Sequence, residues 1–508
     1  MTVQQEPRPA APPDHPVARF PKQAIVVVHG MGEQMPMDTI KAFVRAAWRT
    51  AVGLATPNLP NPTEVWSKPD VRTGSLELRR ITTRQSIPAP PSFPDGVRSD
   101  FYELYWADLS GGSSWSQVKD WTLGLLFRNP FTRVPHDVLL AWLVLWLIAL
   151  VVASVLVGAA LPKEAHIGSL DLWKVPPFSW INGLGLPVTA LAAAFASFAA
   201  SFIVPYFGRV VRYTVAKPDN IAARENIRKR GLELLGELHK DYERIIIVGH
   251  SLGSILAYDL ISYFWARRQA QRTIDEGTPE FSALQRLELA IAALAPYQGD
   301  GKPPQQLVED YLAAQTGLGH LLRVREKPRC EQESDARWLI SDFVTLGSPL
   351  SHAEFLMASS KDDLERRKRD REYPTSPPLR ELLDPNYVDE ARRAGFDLSG
   401  AEPMLLAFPF AAGRWQLHHA CPFAATRWTN IFDPAILVAF GDLISGPVAP
   451  SFGHGIVDVD LRKQRGRQAW RFTHTRYWHI AGDAPDPKPP VHISALRSAL
   501  DLLATRHL

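Results

Sequence analysis

Ile245-Ile246-Ile247-Val248-Gly249-His250-Ser251-Leu252-Gly253-Ser254 runs directly into Ile255-Leu256-Ala257-Tyr258-Asp259-Leu260. The opening β-branched run reads as a short buried strand, and the closing stretch has helical periodicity. Strand, tight turn and helix in that order give the intervening Gly-x-Ser-x-Gly a mechanism. Gly249 and Gly253 let strand and helix approach closely around a strained turn, which lifts the Ser251 hydroxyl out at the helix amino terminus. The same pattern without this context is a common accident in chains rich in Gly and Ser. In this context Ser251, flanked by His250, is a candidate nucleophile.

Upstream, Ala24-Ile25-Val26-Val27-Val28 is a second buried-strand run, ending in His29-Gly30-Met31-Gly32. Downstream, Phe343-Val344-Thr345-Leu346-Gly347-Ser348-Pro349-Leu350 reads as a third strand, with Ser348 a turn residue. These three blocks resemble the α/β-hydrolase superfamily and, within it, lipase-like and esterase-like serine hydrolases. With the C-terminal segment the resemblance spans residues 21 to about 480. It implies an α/β fold with a mostly parallel central sheet flanked by helices. It also implies an oxyanion loop at His29, Gly30 and Gly32, in which backbone N–H groups of Met31 and Leu252 hold the negative oxygen of a tetrahedral intermediate. An ordinary strand-end turn is the plain alternative for His29 and Gly30.

The superfamily's chain order, serine then acid then histidine, places the acid beyond residue 350. Asp442, in Gly441-Asp442-Leu443-Ile444-Ser445-Gly446-Pro447-Val448, resembles the acid loop of lipase-like relatives, with Leu443 in place of their proline. Asp433 is the alternative acid, although its Asp-Pro pair also reads as a turn initiator. His474 follows strand-like residues at 470–472 and precedes the Tyr477-Trp478 pair, which resembles the late histidine of the relatives; His479 and His454 are its runners-up. The imidazole would take the Ser251 proton while the carboxylate fixes its tautomer.

Only Cys330 and Cys421 are present, which is no disulfide framework, and a net charge of +3 spread along the chain argues against nucleic acid as a partner. His418, His419 and Cys421 lack a second ligand pair at metal spacing, so neither metal nor cofactor is expected. The 508 residues divide into a Pro-rich leader (1–20), the first part of the catalytic domain (21–110), an insertion (111–215) and the remainder (216–508). Within the insertion, uncharged stretches at about 138–161 and 181–207 read as two transmembrane helices, long enough to cross roughly 30 Å of hydrocarbon. Basic outer flanks at Arg128, Arg133, Arg209 and Arg212 predict an integral membrane protein with its catalytic domain on the cytoplasmic side. Residues 265–335 and 352–425 are polar and helix-prone, and the resemblance implies lids.

The expected activity is cleavage of a carboxylic ester or thioester through an acyl-Ser251 intermediate, with a lipid-like, membrane-borne substrate suggested by the anchor. Acyl transfer on the same scaffold and a non-catalytic membrane adaptor are the alternatives.

Overall fold

The computed structural model describes residues 21–30, 35–110 and 218–507 apart from short breaks, the longest being 324–336, 435–440, 466–473 and 483–486, with scattered residues between 111 and 217. β1 (Lys22–Val28), β2 (Val65–Pro69), β3 (Arg79–Gln85), β4 (Arg98–Leu104), β5 (Arg244–His250), β6 (Ile340–Leu346), β7 (Arg427–Phe432) and β8 (Val457–Asp460) form one sheet in the order β8-β7-β6-β5-β1-β4-β3-β2. From β8 through β4 every pairing is parallel, and β3 and β2 add an antiparallel edge.

Strands buried on both faces need apolar residues at consecutive positions, which explains the unbroken runs in β1 and β5. Ile25, Val27, Ile246 and Val248 pack one face, beneath α1 (Asp38–Val44) and the C-terminal α7 (Val491–Leu500). Val26, Val28, Ile245 and Ile247 pack the other, beneath α2 (Pro218–Asp241), α3 (Leu252–Gln269), α4 (Pro279–Leu294) and α5 (Gln305–Arg323). The chain is thus an α/β protein with helices on both faces of a mostly parallel sheet. α5 flanks the amino ends of β6 and β7, where Gln315 Nε2 donates to the carbonyls of Phe423 and Thr426 and Trp338 N–H donates to Leu322 O. The charged run after residue 360 forms α6 (Lys361–Arg369), capped by Ser360 Oγ accepting from Asp363 N–H.

The expectation of an integral membrane protein is corrected. Among the described residues no helix is long and apolar enough to cross a membrane. A span needs about 20 consecutive apolar residues in one helix, and the longest unbroken helical run described within 138–161 is 149–154. Most of the rest of that stretch, and nearly all of 181–207, lies outside the described residues, as do the leader and residues 470–472.

At the amino ends of the strands, Arg244 is fully enclosed. Its Nη2 lies 2.6 Å from Asp342 Oδ2, its Nε donates to Ser341 Oγ at 2.7 Å, and its Nη1 donates to Gln23 Oε1 and Asp501 O. One side chain therefore ties β1, β5, β6 and the C-terminal turn. Removing one partner strands a buried charge, so Arg244→Ala is expected to lower the unfolding free energy by about 3–5 kcal/mol. The double variant Arg244→Met/Asp342→Leu should lose less in the same urea titration; an equal or larger loss would show that the charge pair itself is not the cause.

Candidate active site

The carboxyl ends of parallel strands are where loops gather in such a sheet; Ser251 and the Asp442–His474 pair both lie there, with no hydrogen bond between Ser251 and His474. β5 ends at His250, and Ser251 turns the chain into α3 with φ 53° and ψ −131°. A non-glycine residue in this region costs on the order of 1–3 kcal/mol and persists only where its surroundings hold it. Ser251 N–H donates to Leu346 O at 3.0 Å, which fixes the turn against the end of β6. Leu252 is the first residue of α3, so its N–H belongs to the helix turn that has no intrahelical acceptor.

The loop leaving β1 lies directly against this turn. A Cβ on Gly30 would sit 2.7 Å from Ser251 Cβ, so any larger residue would push the loop off the serine. His29 is buried beneath it: Nδ1–H donates to Gly30 O at 2.9 Å, and the ring stacks on Trp106 with centroids 5.3 Å apart and planes within 4°. Trp106 Nε1–H donates to His29 O at 3.0 Å, so His29 is a brace for the loop. Met31 and Gly32 lie outside the described residues.

Asp442 and His474 form a dyad. His474 Nδ1–H donates to Asp442 Oδ2 at 2.8 Å, which places the ring's lone pair on Nε2, and Nε2 is buried without a hydrogen-bond partner among the described residues. Ile444 N–H donates to the other carboxylate oxygen at 3.0 Å. Burial pushes the Asp442 carboxyl up, but the hydrogen bond and charge of His474, helped by Tyr477 and Ser445, outweigh it and hold the group below its ordinary value. Asp433 is also buried at the end of β7, and its carbonyl accepts Asp442 N–H at 2.9 Å, so the two carboxylates are neighbours while the His474 ring is bonded to Asp442.

Three side-chain roles were not visible in the sequence pattern. Tyr477 OH donates to Asp442 Oδ2 at 2.7 Å, the oxygen that also accepts from His474, and it is fully enclosed. His250 Nε2–H donates to His474 O at 2.9 Å, and the two rings lie 4.9 Å apart. The residue preceding Ser251 thus holds the loop of the candidate base. Burial, then the neighbouring His474, push His250 down to about 3, so it stays neutral. Gly347, at φ +57°, lets β6 end beneath the dyad: a Cβ there would be 2.6 Å from Tyr477 Cε2, 2.9 Å from Asp442 Oδ2 and 3.1 Å from His474 Cε1. The spacing of Tyr477, three residues after His474, was the one available signal.

Glu103, at the end of β4, accepts Met37 N–H on Oε2 at 2.9 Å and so ties β4 to the loop that leaves β1. Burial pushes it up from 4.5 to about 7. A carboxyl raised in the folded state contributes stability that is full below about pH 4.5 and is lost as pH rises through 7.

Two outcomes follow from this geometry. For a catalytic dyad of this geometry, Gly347→Ala should destroy turnover while Tyr477→Phe lowers it more mildly, by about tenfold, since only one of several hydrogen bonds to Asp442 is lost; unchanged kcat in Gly347→Ala would mean that the dyad carries no chemistry. In parallel denaturation series from pH 5 to pH 8, the stability of the wild type relative to Glu103→Gln should fall up to about pH 7 and level off above it, and a flat difference throughout would remove Glu103 as the titrating group.

Comparison of the chain with protein-family models, with curated proteins and with solved structures finds no match.

Proposed function

We propose that the protein is a serine hydrolase of the α/β-hydrolase type that cleaves a carboxylic ester through an acyl-Ser251 intermediate. The observation that carries this reading is the backbone of Ser251, held at positive φ in the turn from β5 to α3 beside the Asp442–His474 dyad. Strain at a non-glycine residue is a mark of functional sites, and this one sits at a helix amino terminus in a strand-turn-helix. The order of the candidate groups along the sheet agrees with the same reading: loop after β1, serine after β5, acid after β7, histidine after β8.

In this scheme His474 Nε2 takes the Ser251 Oγ proton as the oxygen attacks the ester carbonyl, then delivers it to the departing alcohol. Asp442 holds the Nδ1–H tautomer and stabilises the imidazolium that forms. The Leu252 N–H, at the positive end of α3, faces the charge that develops on the carbonyl oxygen, with the loop after Gly30 as the second donor. Water on the acyl-enzyme then repeats the cycle. A lipid-like substrate rested on the membrane anchor alone and has no support without it.

Labelling with a fluorophosphonate probe is the test. The wild type should be labelled; Ser251→Ala should not be, and His474→Ala and Asp442→Asn should be labelled orders of magnitude more slowly, because triad members act as a unit. Full labelling of Ser251→Ala, or a greater loss in Asp433→Asn than in Asp442→Asn, would contradict the roles given to those residues.

A further inference from the structure

Alongside α3 lies a cavity of about 520 Å³, bounded by α2, α3 and residues 367–374. Its volume is in the range of about 300–1,000 Å³ typical of small-molecule sites. Neither Ser251, Asp442 nor His474 lines it. Asp259, on its wall, is two helical turns beyond Ser251, or about 12 Å along the axis at about 1.5 Å per residue.

The α2 wall carries Arg224 and Arg228, one turn apart on the same helix face. Both guanidinium groups lie over the Tyr213 ring, 5.8 and 5.7 Å from its centroid. The one carboxylate bonded here serves Arg228: Asp259 Oδ2 lies 2.6 Å from Arg228 Nη2 and also accepts from Tyr213 OH at 2.8 Å. The remaining charges around the cavity are matched elsewhere. Arg367 pairs with Glu372 at 3.2 Å, Arg371 with Glu381 at 2.7 Å, and Asp370 with Arg366 at 3.2 Å. Among the described residues Arg224 therefore has no ionic partner, and the buried Nε–H groups of Arg224 and Arg228 have no acceptor. Of the two cations only Arg228 has an anion bonded to it, both carry a desolvated donor, and leaving such donors unmatched is costly.

We propose that this cavity binds a small ligand through an oxyanion, a phosphate or a carboxylate, held between Arg224 and Arg228. The guanidinium fork matches both groups with paired N–H donors. Tyr213, tied to Asp259, supplies a fixed aromatic backing for the two guanidinium groups. The site is built apart from Ser251, so its occupancy does not depend on the hydrolase chemistry proposed above.

Isothermal titration of the full chain with inorganic phosphate and, separately, with succinate, at fixed ionic strength, distinguishes the two anion classes. Saturable binding of one of them is expected, with affinity unchanged in Ser251→Ala and reduced at least tenfold in Arg224→Ala. Arg224→Lys, which keeps the charge but not the fork, should fall between. Arg224 is partly buried, and a thermal melt matching the wild type ensures that a loss in either variant reports on the site. Absence of saturable binding by the wild type, equal affinity in Arg224→Ala, or loss of binding in Ser251→Ala would each overturn the proposal; the last would place the anion at the serine instead.

Discussion

The turn at Ser251 is the constraint around which the candidate site is arranged. A serine held at φ 53° and ψ −131° is uphill by itself, so neighbouring chain must close in from every side. It does so at backbone distance. A Cβ on Gly249 would lie 2.6 Å from Ser254 Cα, and one on Gly253 would collide with the carbonyl oxygens of Val28 and His29. β1, β5 and α3 consequently meet without intervening side chains. The energy that holds the turn comes from the layers behind it, where both faces of β1 and β5 are sealed by helices.

The candidate acid and base, Asp442 and His474, are held by a different means, a set of hydrogen bonds that leaves few alternatives for either group. Asp442 receives His474 and Tyr477 on one oxygen and Ile444 N–H on the other. Its loop is tied down beyond the site: Asn430 on β7 donates to Gly446 O and to Asp458 on β8, and Asp458 accepts the N–H groups of Val448 and Ala449. His250 closes the circuit from the serine's side by holding His474 O. In a poorly solvated setting, polar groups arranged this way are rigid because each partner lost would leave another unmatched.

Much of the scaffold was legible in the chain because parallel, doubly covered strands must be apolar at successive positions. Ala24–Val28 and Ile245–Val248 fall inside β1 and β5, and the run after Phe343 inside β6. The strand, turn and helix around Ser251 were legible for the same reason, since two glycines and a change of periodicity are local features. The membrane reading shows the limit of that logic. Uncharged composition measures how apolar a stretch is, whereas a span requires one continuous helix, and none is found among the described residues.

Local chemistry in the sequence thus determined which segments are strands and where the tight turn at Ser251 lies, while the search for an acid and a histidine late in the chain came from the resemblance. Tertiary structure decided which carboxylate meets the histidine. Asp433 and Asp442 are both buried and are joined through a backbone hydrogen bond, and nothing local separates them; only the folding of residues 442–448 beneath Tyr477 brings Asp442 Oδ2 to His474. It also decided that His250 faces His474, that Gly347 must lack a side chain, and that Asp259 pairs with Arg228. These relations join residues far apart in the chain, and their geometry is set by the packing of whole layers, which no short stretch of sequence encodes.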